Sequence, residues 1–154
     1  SLVHEFLFSA KEKGLKICYS AAPFVAKQTA CLLPFTDLLV VNEGEANALI
    51  KFINKDVLEL GLPHLVITFG SKGARYIGEE GDFFVSPFKV SPVDTTGAGD
   101  TFLGYLLASL SKGMSMEQAM SYGSAAASLQ ITKQGALAAI PSLQEVETFI
   151  GENS

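Results

Sequence analysis

Asp94-Thr95-Thr96-Gly97-Ala98-Gly99-Asp100-Thr101-Phe102 is the stretch on which the reading of this chain turns. Glycines at 97 and 99 let backbone approach a ligand with no Cβ in the way. The stretch leads from an expected strand at Val90–Val93 into an apolar helix carrying Phe102, Leu103, Tyr105, Leu106 and Leu107, ending near Ser111. The unbonded N–H groups of a first helical turn, together with the helix dipole, make an anion site suited to phosphate. Asp100 falls in that first turn. A carboxylate there reaches a hydroxyl about to attack a phosphoryl group and accepts its proton. The same spacing also suits a plain strand-to-helix turn whose aspartate answers the dipole, and spacing alone leaves both open. Two other phosphate loops are excluded. A dinucleotide fingerprint needs Gly-x-Gly-x-x-Gly, and the next glycine after Gly99 is Gly104. A Walker loop needs Gly-Lys-Ser/Thr, which is absent.

Working outward, the pattern predicts a helix over 2–13 closed by Gly14, a short strand over Leu15–Tyr19 and a helix within Ala21–Leu33 that starts near Pro23. Asp37–Val41 reads as a buried strand, followed by a helix opened by Asn42 and running to about Ile50. Another helix is expected over Asn54–Leu60, then a strand over His64–Phe69. Ala74–Ile77 and Phe83–Phe88 read as antiparallel strands around a Glu79–Asp82 turn. Two further helices, Ser115–Leu129 and one from Ser142, open with Ser-x-x-Gln and Ser-x-x-Glu capping boxes. Strands alternating with helices predict an α/β layered fold, a mostly parallel sheet flanked by helices with a β-hairpin edge. The chain is one domain or one half of a larger one.

Composition narrows the function. Eleven Lys and Arg against 16 Asp and Glu give a net charge of −5, which argues against nucleic-acid or polybasic membrane partners. Hydrophobic residues make up 48% and charged residues 18%, so the chain folds. No apolar run has membrane-spanning length, and no signal-peptide layout is present. Cys18 and Cys31 are too few for a disulfide scaffold or a cysteine zinc site and fit a reducing, cytoplasmic setting. His4 and His64 stand isolated, which argues against a histidine metal centre or triad.

Asp94 to Phe102 strongly resembles the signature of the ribokinase-like (PfkB) sugar kinases. The resemblance extends to Asn42-Glu43-Gly44-Glu45, which matches an Asn-x-x-Glu motif, and to Ile67-Thr68-Phe69-Gly70-Ser71-Lys72-Gly73, which resembles the family's nucleotide-binding strand and loop. Ile131-Thr132-Lys133-Gln134-Gly135-Ala136 with Pro141 is similar to the tail of the ribokinases within that family. Essentially the whole chain matches in order.

The resemblance implies ATP-dependent transfer of phosphate to a sugar hydroxyl. Asp100 takes the role of catalytic base, and Gly97, Ala98 and Gly99 that of the anion hole. Asn42 lies near the phosphates and Glu45 organises Mg²⁺ through water, although Asn-x-x-Glu at a helix start is also a capping arrangement. Thr68, Gly70, Ser71 and Gly73 contact the nucleotide; taken alone, Gly-Ser-Lys-Gly is an ordinary turn. Lys72 reads as a solvated loop charge. Ser124 lines the adenine side or simply packs as a small residue in its helix. A monovalent cation, K⁺, is held by Asp94, Thr96, Gln130, Lys133 and Gly135, with one departure: Ala139 stands where a ribokinase serine adds an oxygen.

Family members run to about twice this length, so the chain resembles a C-terminal, nucleotide-side half without the N-terminal sugar-binding part and lid. Weak or absent activity is expected of the chain alone. The longer parent is expected to be a cytoplasmic homodimer acting on a small-molecule sugar. Fructokinase, ketodeoxygluconate kinase and adenosine kinase activities are alternatives within the family, and a non-catalytic nucleotide-binding portion is the alternative outside it.

Overall fold

The computed structural model describes residues 2–153. Its contacts divide the chain into two compact units. One runs to Gly70 and includes Arg75–Phe83; the other holds Ser71–Ala74 and the chain from Phe84 onward.

The first unit begins with α1 (Leu2–Glu12), β1 (Cys18–Tyr19), α2 (Ala26–Leu32), β2 (Leu38–Asn42), α3 (Glu43–Ile53) and β3 (His64–Thr68). The hairpin strands β4 (Ala74–Gly78) and β5 (Gly81–Val85) follow. The described strands form one sheet in the order β1-β2-β3-β4-β5. β1, β2 and β3 run parallel, with Leu38 beside His64 and Asn42 beside Thr68. Glu79 and Glu80 alone join β4 to β5, so the sheet is mixed with a hairpin edge, as the sequence predicts.

β2 is an unbroken apolar run because both of its faces are covered, as parallel strands require. Leu39 and Val41 pack with Ala46 and Leu49 of α3 and with Leu65 and Ile67 of β3. Asp37, just before β2, ties the unit together. Its carboxylate accepts hydrogen bonds from Lys11 Nζ and from the Ile17 N–H, both at 2.7 Å. Its own N–H donates to the Ile17 carbonyl, and its carbonyl accepts from the His64 N–H. Burial pushes the Asp37 carboxyl up. The hydrogen bonds from Lys11 and Ile17 and the charges of Lys11 and Lys16 outweigh it and hold the group below the usual carboxylate range. Burial also pushes the Cys18 thiol up to about 11, whereas Cys31 is exposed on α2.

Several expected elements are shorter. The strand expected from Leu15 is only Cys18–Tyr19. The helix expected to start near Pro23 starts at Ala26, after Val25 with no side-chain cap, and gives way to a 3₁₀ turn at Leu33–Phe35. The helix expected over Asn54–Leu60 is a single 3₁₀ turn, Val57–Leu60. Asn54 is left-handed at φ 56° and ends α3, and Asp56 caps the next turn, so only four residues remain before Gly61. α3 itself runs past Ile50 to Ile53. β5 occupies Gly81–Val85 rather than reaching Phe88. No strand covers Val90–Val93: the N–H groups of Val93 and Asp94 both donate to the Ile131 carbonyl instead of to a sheet.

The second unit contains α4 (Ala98–Ser111), α5 (Met116–Gln130) and α6 (Leu143–Glu152). Gly123 lets α5 approach α4, since a Cβ there would lie 2.8 Å from the Phe102 carbonyl oxygen. Ala125 and Ala126 pack with Val146 of α6, and the Phe88 and Phe149 rings, 5.1 Å apart, pack against them. Both serine capping boxes form as expected. Glu145 accepts from the Ser142 N–H at 2.7 Å and from Lys133 Nζ at 3.1 Å. The backbone bond from Ser142, then the Lys133 bond, bring its carboxyl down to about 2.

Two outcomes are expected. Asp37→Ala, which strands Lys11 and the Ile17 N–H, destabilises by about 2–3 kcal/mol. A urea midpoint equal to that of the parent chain would contradict this. Glu145 is lowered on folding, so its contribution is complete above its ordinary value near 4.5 and is lost as pH falls toward about 2. Glu145→Gln keeps the capping geometry and flattens that part of the acid-unfolding curve, as followed by circular dichroism.

Candidate functional site

The turn into α4 is built by side chains that hold it open. Asp94 Oδ1 accepts from the Thr96 N–H at 3.0 Å, curling the chain before the glycines. Gly97 is left-handed at φ 81° and serves as the N-cap of α4 without any side-chain cap. A side chain there would be strained and would crowd Gln130 Nε2 at 3.1 Å. Gly97 carbonyl accepts from the Thr101 N–H and Thr95 carbonyl from the Ala98 N–H. The N–H groups of Gly99 and Asp100 have no partner among the described residues. Ala98, expected beside its neighbours as an anion donor, therefore has its N–H directed to Thr95, and the open donors include that of Asp100.

The start of α4, like that of the short α2, has no side-chain cap. α3, α5 and α6 each start with a reciprocal capping box that closes their first turns. A Cβ on Gly99 would meet nothing within 4 Å, so packing does not require glycine there.

Asp100 is exposed and lines a pocket of about 450 Å³ with Gly97, Thr101, Gly104, Tyr105 and Leu137. Its carboxylate makes no hydrogen bond to a described residue. The helix spacing of Asp100, Gly104 and Ala108 aligns them on one face, a signal present in the sequence. Leu137 and Ile140 come from the irregular segment after α5, which sequence reasoning did not connect to the site. Tyr105 fixes that segment by donating to the Pro141 carbonyl at 2.6 Å.

The residues expected to hold a monovalent cation are brought together, and the oxygens of Asp94, Thr96 and Gln130 among them already accept hydrogen bonds. Asp94 Oδ2 accepts from the Gly135 N–H at 3.0 Å and from Gln134 Nε2 at 3.2 Å. Hydrogen bonds from the Thr96 backbone, the Thr96 side chain and the Gly135 backbone hold the Asp94 carboxyl below the usual range. The Thr96 carbonyl accepts from Gln130 Nε2 at 3.1 Å, and the Gln130 carbonyl from the Lys133 N–H at 3.0 Å. Lys133 itself pairs with Glu145. Gln130 is expected to act through its carbonyl; its side chain, 1% exposed, also reaches Thr96.

In the first unit, the parallel register places Asn42 beside Thr68 at the carboxyl ends of β2 and β3, where ligands bind in open α/β sheets. Asn42 Oδ1 accepts from the Glu45 N–H and Glu45 Oε2 from the Asn42 N–H, both at 2.9 Å, so the capping reading of this motif holds. Glu45 Oε1 remains without a partner among the described residues. Among those residues no three His, Cys, Asp or Glu side chains converge on a metal-sized site. Mg²⁺ suits such a single carboxylate, because it keeps several waters and takes its other ligands from phosphates. Gly70 is exposed and opens a 3₁₀ turn through Lys72.

In the second unit, Ser71 is exposed, whereas Gly73 is buried at φ 108° with a Cβ position 2.4 Å from the Val85 carbonyl oxygen. Packing alone accounts for that glycine. Ser124 is half-buried on α5 and does not line the pocket of Asp100.

Comparison with known proteins agrees with this layout. Residues 3–143 match the pfkB family carbohydrate kinase model. The chain is 34% identical over 148 residues to the ribokinase of Staphylococcus aureus, covering 89% of this chain and 48% of that protein. It is 32% identical over 151 residues to the ribokinase of Haemophilus influenzae, covering 92% and 49%. The chain thus spans about half the length of the curated relatives it matches. Its fold matches a Thermotoga maritima ribokinase structure with a TM-score of 0.82 at 33% identity, covering 95% of this chain and 52% of that one. A putative ribokinase II from E. coli in complex with ATP and Mg²⁺ matches with a TM-score of 0.82 at 27% identity, covering 97% and 53%. With its open helix start, free aspartate and α/β fold, the chain belongs to the pfkB family of carbohydrate kinases.

Proposed function

We propose that this chain supplies the phosphate-binding and proton-accepting part of an ATP-dependent sugar kinase. The observation that carries the reading is the start of α4, where two unpaired N–H groups adjoin an exposed, unpaired Asp100 carboxylate. The N–H groups of Gly99 and Asp100 bind phosphate oxygens and stabilise the charge that develops on them. The Asp100 carboxylate takes the proton of the acceptor hydroxyl as its oxygen forms a bond to the γ-phosphorus. The bond from that phosphorus to the β–γ bridging oxygen breaks, and ADP leaves. Positioning and charge stabilisation carry most of such a reaction.

Asn42, Glu45, Thr68, Gly70 and Ser71 are assigned to the nucleotide and its Mg²⁺ by resemblance, and Ser124 to the adenine side on the same ground. Mg²⁺, when bound, neutralises charge on the β- and γ-phosphates. Asn42 holds Glu45 by capping, which leaves one carboxylate oxygen to face the ion's water. We assign the acceptor as a primary hydroxyl of a pentose, ribose first, from the resemblance of the tail at Thr132–Ala136 and the ribokinases among the relatives. The proposal includes a cytoplasmic homodimer of the longer protein and leaves out a monovalent cation, because the Asp94 carboxylate and the Thr96 and Gln130 carbonyls already accept hydrogen bonds.

Asp100→Asn is expected to lower sugar-dependent ADP release by the protein that carries this sequence by roughly 10²- to 10⁴-fold, with Mg-ATP affinity little changed. Retained turnover would refute the base assignment. Gly99→Ala is expected to keep or raise thermal stability, since alanine is the better helix former by up to about 1 kcal/mol. The same change weakens Mg-ATP binding about tenfold or more, because the added methyl enters the space assigned to phosphate. Unchanged affinity in a calorimetric titration would remove the anion hole from the proposal.

A further inference from the structure

We infer that the Gln130 carboxamide does in this chain what the resemblance assigns to a monovalent cation: it fastens the glycine turn to the segment after α5, so the turn keeps its shape without an ion. Gln130 is the last residue of α5 and is almost completely buried. Its Nε2 donates to two carbonyl oxygens, Thr96 at 3.1 Å in the turn and Ala136 at 3.0 Å in the following segment. An amide nitrogen has two protons, so both are used. The orientation is dictated by these partners, because the flipped amide would set Oε1 against two other oxygens.

The Asp94 and Ala139 positions of the expected ion cage agree. An ion such as K⁺ gives up its water only where several oxygens turn toward it. The one formal charge in the cage, Asp94, is surrounded by N–H donors from Thr96, Gly135 and Gln134. Ala139 is 1% exposed and offers no side-chain oxygen. The amide nitrogen lies 3.1 Å from where a Gly97 Cβ would stand, so the carboxamide fills the hollow of the turn. Gln130 Oε1 is buried with no partner. An ion bound to that oxygen is the rival arrangement, and the experiment separates the two.

Gln130 is thus a positioning residue, acting on phosphate through the turn it holds. The test compares thermal unfolding of the chain in potassium chloride and in choline chloride at equal ionic strength. The chain as it stands is expected to melt within about 1 °C in the two salts. Gln130→Leu, which keeps bulk but loses both donors, is expected to melt lower in both salts. Gln130→Ala is expected to melt lower in choline and to regain at least about half of the loss in potassium, because the freed carbonyls and Asp94 then accept the ion. Loss of packing alone would not respond to the identity of the salt. A potassium-specific rise in the unaltered chain would overturn the inference, and so would a Gln130→Ala loss that potassium does not restore. Should Gln130→Ala fail to fold in either salt, the unaltered chain decides alone. The functional consequence rests on the kinase reading, and a Mg-ATP titration in choline chloride keeps the two apart. Binding there together with a potassium-specific rise in melting sinks the inference and spares the kinase reading, whereas no binding in either salt with equal melting does the reverse.

Discussion

Gly97 turns the chain into α4 with a left-handed φ of 81°, and that conformation is held by bonds that reach across the second unit. Asp94 grips the Gly135 N–H, and Gln130 grips Thr96 and Ala136. These contacts join segments 34 to 41 residues apart or close the loop beside them. Without them the turn would be a flexible glycine stretch, and the N–H groups of Gly99 and Asp100 would not share a direction. Donors that are fixed before a charge arrives lose nothing to reorganisation, which is where electrostatic stabilisation gets most of its strength.

The contrast between helix starts gives the arrangement its meaning. Asn42, Ser115 and Ser142 close α3, α5 and α6 with side chains that answer the exposed donors. At α4 the side chains work one turn earlier and leave the donors unanswered. Asn42 and Glu45 also cannot act independently of one another, since each satisfies the other's backbone. A substitution at either position alters the start of α3 along with anything bound there.

Much of this was legible in the sequence where the governing contacts are local. The capping boxes span three residues and were read directly from Ser-x-x-Gln and Ser-x-x-Glu. The β2 and β3 runs declared themselves by composition, and Asp100 fell in the first turn of α4 as expected. The misses share a cause. Asn54 and Asp56 leave room for only a single 3₁₀ turn, which helical periodicity does not register. Val90–Val93 has strand-like composition, but Ile131 captures the backbone at its end. The side-chain role of Gln130, the grip of Asp37 on Lys11 and Ile17, and the approach of Leu137 and Ile140 to Asp100 are all long-range. Nothing in the neighbouring residues signals them.

The two thiols differ in a way that makes the first unit open to chemical labelling. Cys18 sits half-buried in β1 with its thiol pushed up to about 11, so at neutral pH almost none of it is thiolate. Cys31 is exposed on α2. A maleimide dye applied briefly near pH 7 therefore marks Cys31 first, giving α2 a fluorescent reporter with no engineered residue and leaving Cys18 in β1 unmodified.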